Sequence, residues 1–348
     1  MGMPLLSFIV LSYNYEDYIG TTIRSILEQT VQDFEIVVVD DASQDSSREV
    51  IRGFGDPRIR LLVNERNMGG AWSYNRAVQA AQGEWLINLD ADDWIAPQKS
   101  ERQLAAASAD PGLDIIGSHV AFVDAKGAPH PRAAELETLT NRPSHVLNQV
   151  DTWIGVNPLC RSSTMVRRSA HLRIGLDDPG MVRAPDYELW TRALREGCRF
   201  GLVPERLTFY RLQARGVTHG DPLGTMLEMT YAMLRNLVPL AEARALHPSV
   251  ERILSWAARH PQLAELRPVE AYRLLGMLVT SPPLGDFASF RASLADGAGD
   301  PALARAGRRC LLLARDQELS NTYVERLLRD QKAFIEARDF WHGQALAW

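Results

Sequence analysis

"EWLINLDADDW", residues 84–94, is a short apolar run ending in three carboxylates within four positions, Asp90, Asp92 and Asp93. Acids so crowded repel one another and are costly to bury unpaired, so their concentration needs a reason. A bound cation is one. The plainer reason is a strand ending in an Asp-rich turn, because Asp favours turns and caps free backbone N–H groups. The run is short and Gly83 bounds it, which marks it as a buried strand with the acids at its carboxyl end.

Similar runs lie on both sides. "LLSFIVLS" (5–12), "FEIVVV" (34–39) and "RIRLLV" (58–63) predict strands, and Ile19, Ile23, Ile26 and Leu27 form the inward stripe of a helix over 17–29. Ser43, Ser46 and Ser47 are expected to cap or open the next helix, and 71–81 reads as another. Downstream, "LDIIGSHVAFV" (113–123), "STMVRRS" (163–169) and "VPERLTFYR" (203–211) add strands. "APDYELWTRALREG" (184–197) adds a helix with Leu189, Ala193 and Leu194 inward, Arg192 and Arg195 toward water, and Gly197 at its end. Continuously apolar strands alternating with helices predict an α/β fold with a mixed, mostly parallel sheet covered on both faces. Two acidic clusters, Asp40 with Asp41 and Asp90 to Asp93, then end two strands. Open α/β sheets bind ligands outside the carboxyl ends of their strands, so these acids belong to one candidate rim.

Composition narrows the possibilities. The chain has 348 residues, 46% hydrophobic and 23% charged, with a net charge of −5. Neither half carries the basic excess of a nucleic-acid binder. Cys160, Cys198 and Cys310 are far apart and form no CxxC or Cys/His cluster, which argues against a disulfide framework or a zinc site. "MGMPLLSFIVLSYN" lacks a basic n-region and a small-residue cleavage site, and no apolar run approaches the ~18 residues of a membrane span. The expectation is a cytoplasmic protein, with peripheral association at the inner face of a membrane left open.

Beyond about residue 225 the pattern turns helical, in "TMLEMTYAMLRNLV", "VEAYRLLGMLV", "PALARAGRRCLLLARD" and "ELSNTYVERLLRDQKAFIEARDFW", punctuated by Pro239, Pro261, "PPLG" and "DGAGDP". The expected organisation is a sheet domain over 1–224 and a helical region over 225–348. Leu319, Tyr323, Leu327, Phe334 and Trp341 fit one apolar face, for packing within the chain or for a homo-oligomer seam. The Met-rich stretch near 226–233 suits core packing, an acceptor site or a membrane surface equally well.

In order, "SFIVLSYNYEDYIGTTIRSILEQTVQDFEIVVVDDASQDSS" and "NMGGAWSYNRAVQAAQGEWLINLDADDW" resemble the inverting glycosyltransferases of family 2, which have the Rossmann-like GT-A fold. The resemblance covers roughly residues 4–220. A lone D-x-D triplet is weak evidence; the succession of strand, "SYN", "DDAS" and "DADD" is specific. It implies transfer of a sugar from a nucleotide-diphosphate donor, with UDP as the leading nucleotide, to a saccharide, lipid-linked or other hydroxyl acceptor, and a role in surface polysaccharide or glycoconjugate synthesis. It also implies a divalent cation, Mn²⁺ or Mg²⁺, which would stabilise the departing diphosphate as a Lewis acid.

Residue by residue, the resemblance makes Asp92 the metal ligand and Asp90 a contact to ribose or metal, with Asp93 as second support or helix cap. Asp41 would accept the N3–H of a uracil-type base, Tyr13 would stack on that base, and Leu11 and Ser12 would line the pocket; Asp40 also suits a turn. Asp186 matches the acid that serves as general base, although the usual preceding Glu is here Pro185; Glu188 could support it or face the acceptor. A helix N-cap is the plain alternative for Asp186. His219 stands where some relatives add a metal or diphosphate contact, and Arg211 and Arg215 could pair with phosphate. Many relatives carry Arg just before Asn75, where this chain has Tyr74 with Arg76 two positions on, so recognition by that segment is altered. Nucleotidyl transfer would need a Gly-rich basic loop after the first strand, whereas "SYNYEDY" is acidic. A non-catalytic module binding nucleotide-sugars or glycans is the remaining alternative.

Overall fold

The computed structural model describes residues 3–213 and 222–258, together with Phe287. His219 and Arg215 lie outside the described residues, as do the helical patterns expected beyond 258 and the apolar face at 319–341. The backbone divides into two compact units, Met1–Gly216 and Val217–Trp348.

The first unit is built on one eight-stranded sheet. Its first half has strands β1 (Leu6–Ser12), β2 (Phe34–Asp40), β3 (Ile59–Val63) and β4 (Trp85–Asp90), all parallel in the order β3-β2-β1-β4. They are connected through helices α1 (Ile19–Leu27), α2 (Ser47–Gly53) and α3 (Gly70–Ala80). The register pairs Leu11 with Asp90 and Ser12 with Asp40, so β1 stands between the two acidic strand ends. Phe8, Val10, Ile36, Val38, Ile87 and Leu89 pack with Ile19, Ile23 and Ile26 in a continuous core. Full burial of each such side chain contributes about 1.5–3 kcal/mol, which makes this half a rigid platform for what its loops carry.

The second half is irregular. Strand β5 (Trp94–Ile95) pairs antiparallel with β8 (Phe200–Arg211), and β6 (Ile115–Val123) pairs parallel with β8. Strand β7 (Met165–Arg167) runs antiparallel between β4 and β6. The sheet is therefore mixed but mostly parallel. The strand expected over 163–169 is only three residues long, because Arg168 already opens helix α6 (Arg168–Ile174). Helices α4 (Lys99–Ala109) and α5 (Ala133–Thr140) precede it, and α7 (Pro185–Arg195) follows it.

Two local expectations are corrected. Ser47 opens α2 as expected, but Ser46 before it makes no side-chain cap; Ser43 and Ser47 accept the backbone N–H groups of Asn14 and Tyr15, at 2.9 Å each, and so brace the turn after β1. Arg192 does not face water. It bonds the Ile174 and Leu176 carbonyls at 2.6 and 2.7 Å and pairs with Glu188 at 2.9 Å.

In the second unit, helices Pro222–Ala232 and Val238–Ala243 flank a π-helical turn, Met233–Leu237, and helix His247–Ala258 follows. Met233, Leu234 and Leu237 are buried, so this part of the Met-rich stretch is core. Among the described residues no helix is long and apolar enough to cross a membrane.

Candidate active site

The parallel half delivers its polar groups by strand ends. After β1, Asn14 takes a left-handed conformation, φ 58°, which Asn tolerates better than most residues. Its amide oxygen accepts Gln44 N–H at 2.8 Å, locking the turn after β1 to the turn after β2. Tyr13 is left 40% exposed, and the Ser12 hydroxyl is buried with no hydrogen-bond partner among the described residues. An unpaired buried hydroxyl is what a ligand would satisfy. Leu11 is half-buried beside it.

Asp40 and Asp41 have different tasks. Asp40 is fully buried and accepts Ser43 N–H at 3.0 Å, which makes it a turn residue. Asp41 accepts Asn64 Nδ2 at 2.6 Å and the backbone N–H groups of Met68 and Gly69 at 2.8 Å each. It thus carries the entry to α3, and three of roughly four acceptor positions of its carboxylate are used. Arg76 reaches Val63 O at 2.8 Å and also bonds the Asn64 side chain, so it braces Asp41's partner and stands one step away from any ligand.

The acidic turn after β4 is held from several sides. Asp93 is buried, accepts Arg211 N–H at 2.8 Å, and its carbonyl takes the Thr22 hydroxyl at 2.7 Å. It holds the turn. Arg211 lies 4.7 Å over Tyr18 and 4.9 Å over Trp94 and donates to the carbonyls of Asp92, Asp124 and Ala125. The guanidinium expected to meet phosphate is therefore mostly spent clamping the backbone. Gln213 donates to one Asp92 oxygen at 2.6 Å.

Charge accumulates here. Burial first, then Asp90, pushes the Asp92 carboxyl up to about 6. Burial, Asp92 and Asp90 push Asp93 well above the usual range. Tyr15 is raised by burial and then by all three acids, so its hydroxyl belongs to the same neighbourhood. Burial also raises Asp90, against the pull of Arg161 and with a push from Asp186.

That last pair joins the two halves. Asp186 lies in the first turn of α7, behind Pro185, whose missing N–H costs nothing at a helix start. It accepts Asn157 Nδ2 at 2.8 Å and its neighbour's backbone N–H at 2.9 Å. Burial raises its pKa, and Arg161 is the largest influence pulling it down. Glu188 is buried and paired with Arg192.

Asn157, Arg161, Ser162, Asp177 and Gln213 were not anticipated from the sequence. Ser162 accepts Asp90 N–H at 3.0 Å; Thr164 accepts Asn88 Nδ2 at 2.8 Å. The polar cluster "RSST" (161–164), buried beside an apolar strand, was the available signal. Tyr74 is fully buried, donating to Asn88 at 3.0 Å, and Arg161 lies 4.1 Å over its ring. The guanidinium in this region thus comes from position 161 rather than position 74.

A mostly parallel sheet with acids on its carboxyl rim, facing a carboxylate at the head of a helix, defines a protein of the GT-A type. The model of glycosyl transferase family 2 matches residues 7–175. The succinoglycan biosynthesis protein ExoO of Rhizobium meliloti is 29% identical, covering 67% of this chain and 69% of its own length. The solved structure of S. aureus TarS with UDP has a TM-score of 0.54 at 18% identity, covering 90% of this chain and 92% of that one. The mannosyltransferase PcManGT of Pyrobaculum calidifontis, with GDP-Man and Mn²⁺, has a TM-score of 0.51 at 21% identity over 97% and 87%.

Proposed function

We propose that the chain is a metal-dependent inverting glycosyltransferase that moves a sugar from a nucleotide-diphosphate donor, a UDP-sugar in the first instance, to a hydroxyl acceptor. Surface polysaccharide or glycoconjugate synthesis is the setting, on the cytoplasmic side of a membrane. One observation carries this reading. The acidic turn after β4 and the carboxylate heading α7 belong to different halves of the sheet, yet one short segment binds both: Ser162 accepts Asp90 N–H at 3.0 Å and Asn157 donates to the Asp186 carboxylate at 2.8 Å. A binding module would need the first group but not the second.

Tyr13 offers its exposed face to the base, Ser12 and Leu11 line the pocket beside it, and Asp41 keeps an acceptor position for a base N–H. The residues fit a divalent cation: Asp92 presents a hard carboxylate with one oxygen held by Gln213, in a cluster where burial and then the Asp90 charge raise its pKa. Among the described residues no three His, Cys, Asp or Glu side chains form a metal cage. Asp92 would hold the ion, with Asp90 at ribose or metal. When bound, the ion supplies Lewis-acid stabilisation of the departing diphosphate.

Asp186, oriented by Asn157, takes the proton of the acceptor hydroxyl as that oxygen bonds to the anomeric carbon. The bond from that carbon to the diphosphate breaks on the opposite side, which inverts the centre. A thermal-shift screen of nucleotide-sugars with Mn²⁺ or Mg²⁺ tests the donor reading, because native-state binding raises apparent stability. A metal-dependent rise with one nucleotide class is expected; no response to any nucleotide overturns it.

A further inference from the structure

Helix α3 is tied to the site at two points. At its start, the Asp41 carboxylate accepts the N–H groups of Met68 and Gly69 at 2.8 Å each. Further along, Asn75 and Asp177 bond reciprocally: the Asp177 N–H donates to the Asn75 amide oxygen, and its carbonyl accepts the Asn75 amide, at 2.8 Å each. Asp177 lies in the loop that leads into α7 and is paired there with Arg161 at 2.8 Å. Trp72 stands midway, three residues after Gly69 and three before Asn75, the spacing that makes side chains neighbours along a helix. Ala71, Ser73, Tyr74, Ala77 and Val78 form the buried side of α3, so Trp72 and Asn75 share its outward side.

Trp72 is 36% exposed, and among the described residues its ring stacks on no other and its indole N–H has no hydrogen-bond partner. Every other tryptophan of the first unit is engaged. Trp85 lies under Arg167, Trp94 stacks on Phe209, and the indole N–H groups of Trp153 and Trp190 bond the Leu147 and Leu159 carbonyls. The loop that Asn75 holds also turns an apolar side chain outward, Val182, after burying Met181. Folding thus leaves part of a flat apolar ring in water, on a helix fixed to the nucleotide end of the site by Asp41 and to the base end by Asp177.

We propose that Trp72 is a sugar-stacking residue of this site, its indole packing against the C–H face of a pyranose ring held between those two ends. The proposal deepens the glycosyltransferase reading and rests on it. The C–H groups on one face of a pyranose form an apolar patch whose slightly positive hydrogens suit the negative face of an indole. A donor sugar and a saccharide acceptor offer the same chemistry. The nucleobase has its own ring in Tyr13, which follows Ser12, whose carbonyl accepts the Asp41 N–H at 2.8 Å.

Fluorine NMR of the full chain labelled with 5-fluorotryptophan reads the contact, with the Trp72 signal identified as the one lost in Trp72→Phe. With Mn²⁺ present, the probes are the nucleoside diphosphate that the thermal-shift screen selects, the matching nucleotide-sugar, and then methyl glycosides of glucose, galactose, mannose and N-acetylglucosamine added to the nucleotide complex. A Trp72 shift with the nucleotide-sugar beyond that with bare nucleotide assigns the ring to the donor sugar; a shift on adding a glycoside assigns it to the acceptor. Trp72→Ala is expected to lower the affinity for that sugar probe roughly tenfold, with bare nucleotide bound as before, and Trp72→Phe to keep most of it. No added shift with any sugar, or an equal loss of bare nucleotide in Trp72→Ala, overturns the proposal. The glycosyltransferase reading fails separately, when no nucleotide binds at all.

Discussion

The two halves of the sheet domain reach the same site by different means. In the parallel half, β1, β2 and β4 deliver Ser12, Asp40 and Asp90 at strand ends, and neighbouring loops lock one another through short polar contacts such as Asn14 with Gln44. In the mixed half the functional groups come from a turn and a helix start, held by buried polar side chains. Asp177 and Arg161, Ser162, Thr164 and Asn88 have little exposure and specific partners. The first half draws its geometry from hydrophobic packing of regular elements. The second draws it from a hydrogen-bonded network, where the loss of one partner leaves another charge or polar group stranded.

Substitutions should expose that difference. The largest effect is expected at Asp177→Ala, which leaves the Arg161 guanidinium buried without its counter-charge; urea unfolding should show a loss of about 3–5 kcal/mol. A loss below about 1 kcal/mol would mean that the network does not hold the second half together. Lys99 is next. It is fully buried beneath the Cys160 turn with Gln103 as its hydrogen-bond partner at 3.0 Å, and burial lowers its pKa to about 7. Below that value the folded state must carry a buried charge, so the penalty is complete at pH 6 and fades as pH rises from about 7 toward the unfolded value near 10.4. Lys99→Met should therefore gain on the order of 2–4 kcal/mol at pH 6 and progressively less above pH 8, read as the difference in midpoint between two pH series. The smallest effect is expected at Ser162→Ala, which leaves Asp90 N–H without its acceptor and should cost about 1 kcal/mol in the same unfolding assay.

This contrast also explains what could be read from the chain alone. Strands β1 to β4 are rich in Ile, Val, Leu and Phe, with single polar residues at Ser7, Glu35, Arg60 and Asn88, and each acidic cluster stands at the end of its strand, so the acidic strand ends were legible down to Asp41, Asp90 and Asp92. The partners that cross the mixed half were not. Arg161 and Asp177 are sixteen residues apart in an irregular stretch, and no periodicity links them. Arg192 looked like a solvent-facing position on α7, but the carbonyls left free at the end of α6 draw it inward. Arg211 and Glu188 were recognised as being near the site, while their roles, a backbone clamp and an intrahelical pair, depend on partners that only the fold supplies.

The central claim is that Asp92 and Asp186 have separate tasks, one in each half. It is tested most directly by measuring two properties of Asp92→Asn and Asp186→Asn side by side. The first is Mn²⁺-dependent binding of the nucleotide that the thermal-shift screen selects, and the second is sugar transfer from the corresponding donor. Transfer should fall by roughly 10²–10⁴-fold in Asp186→Asn, with nucleotide binding kept, whereas Asp92→Asn should lose both. Equal loss of nucleotide binding in the two variants, or transfer at the wild-type rate in Asp186→Asn, would contradict the account.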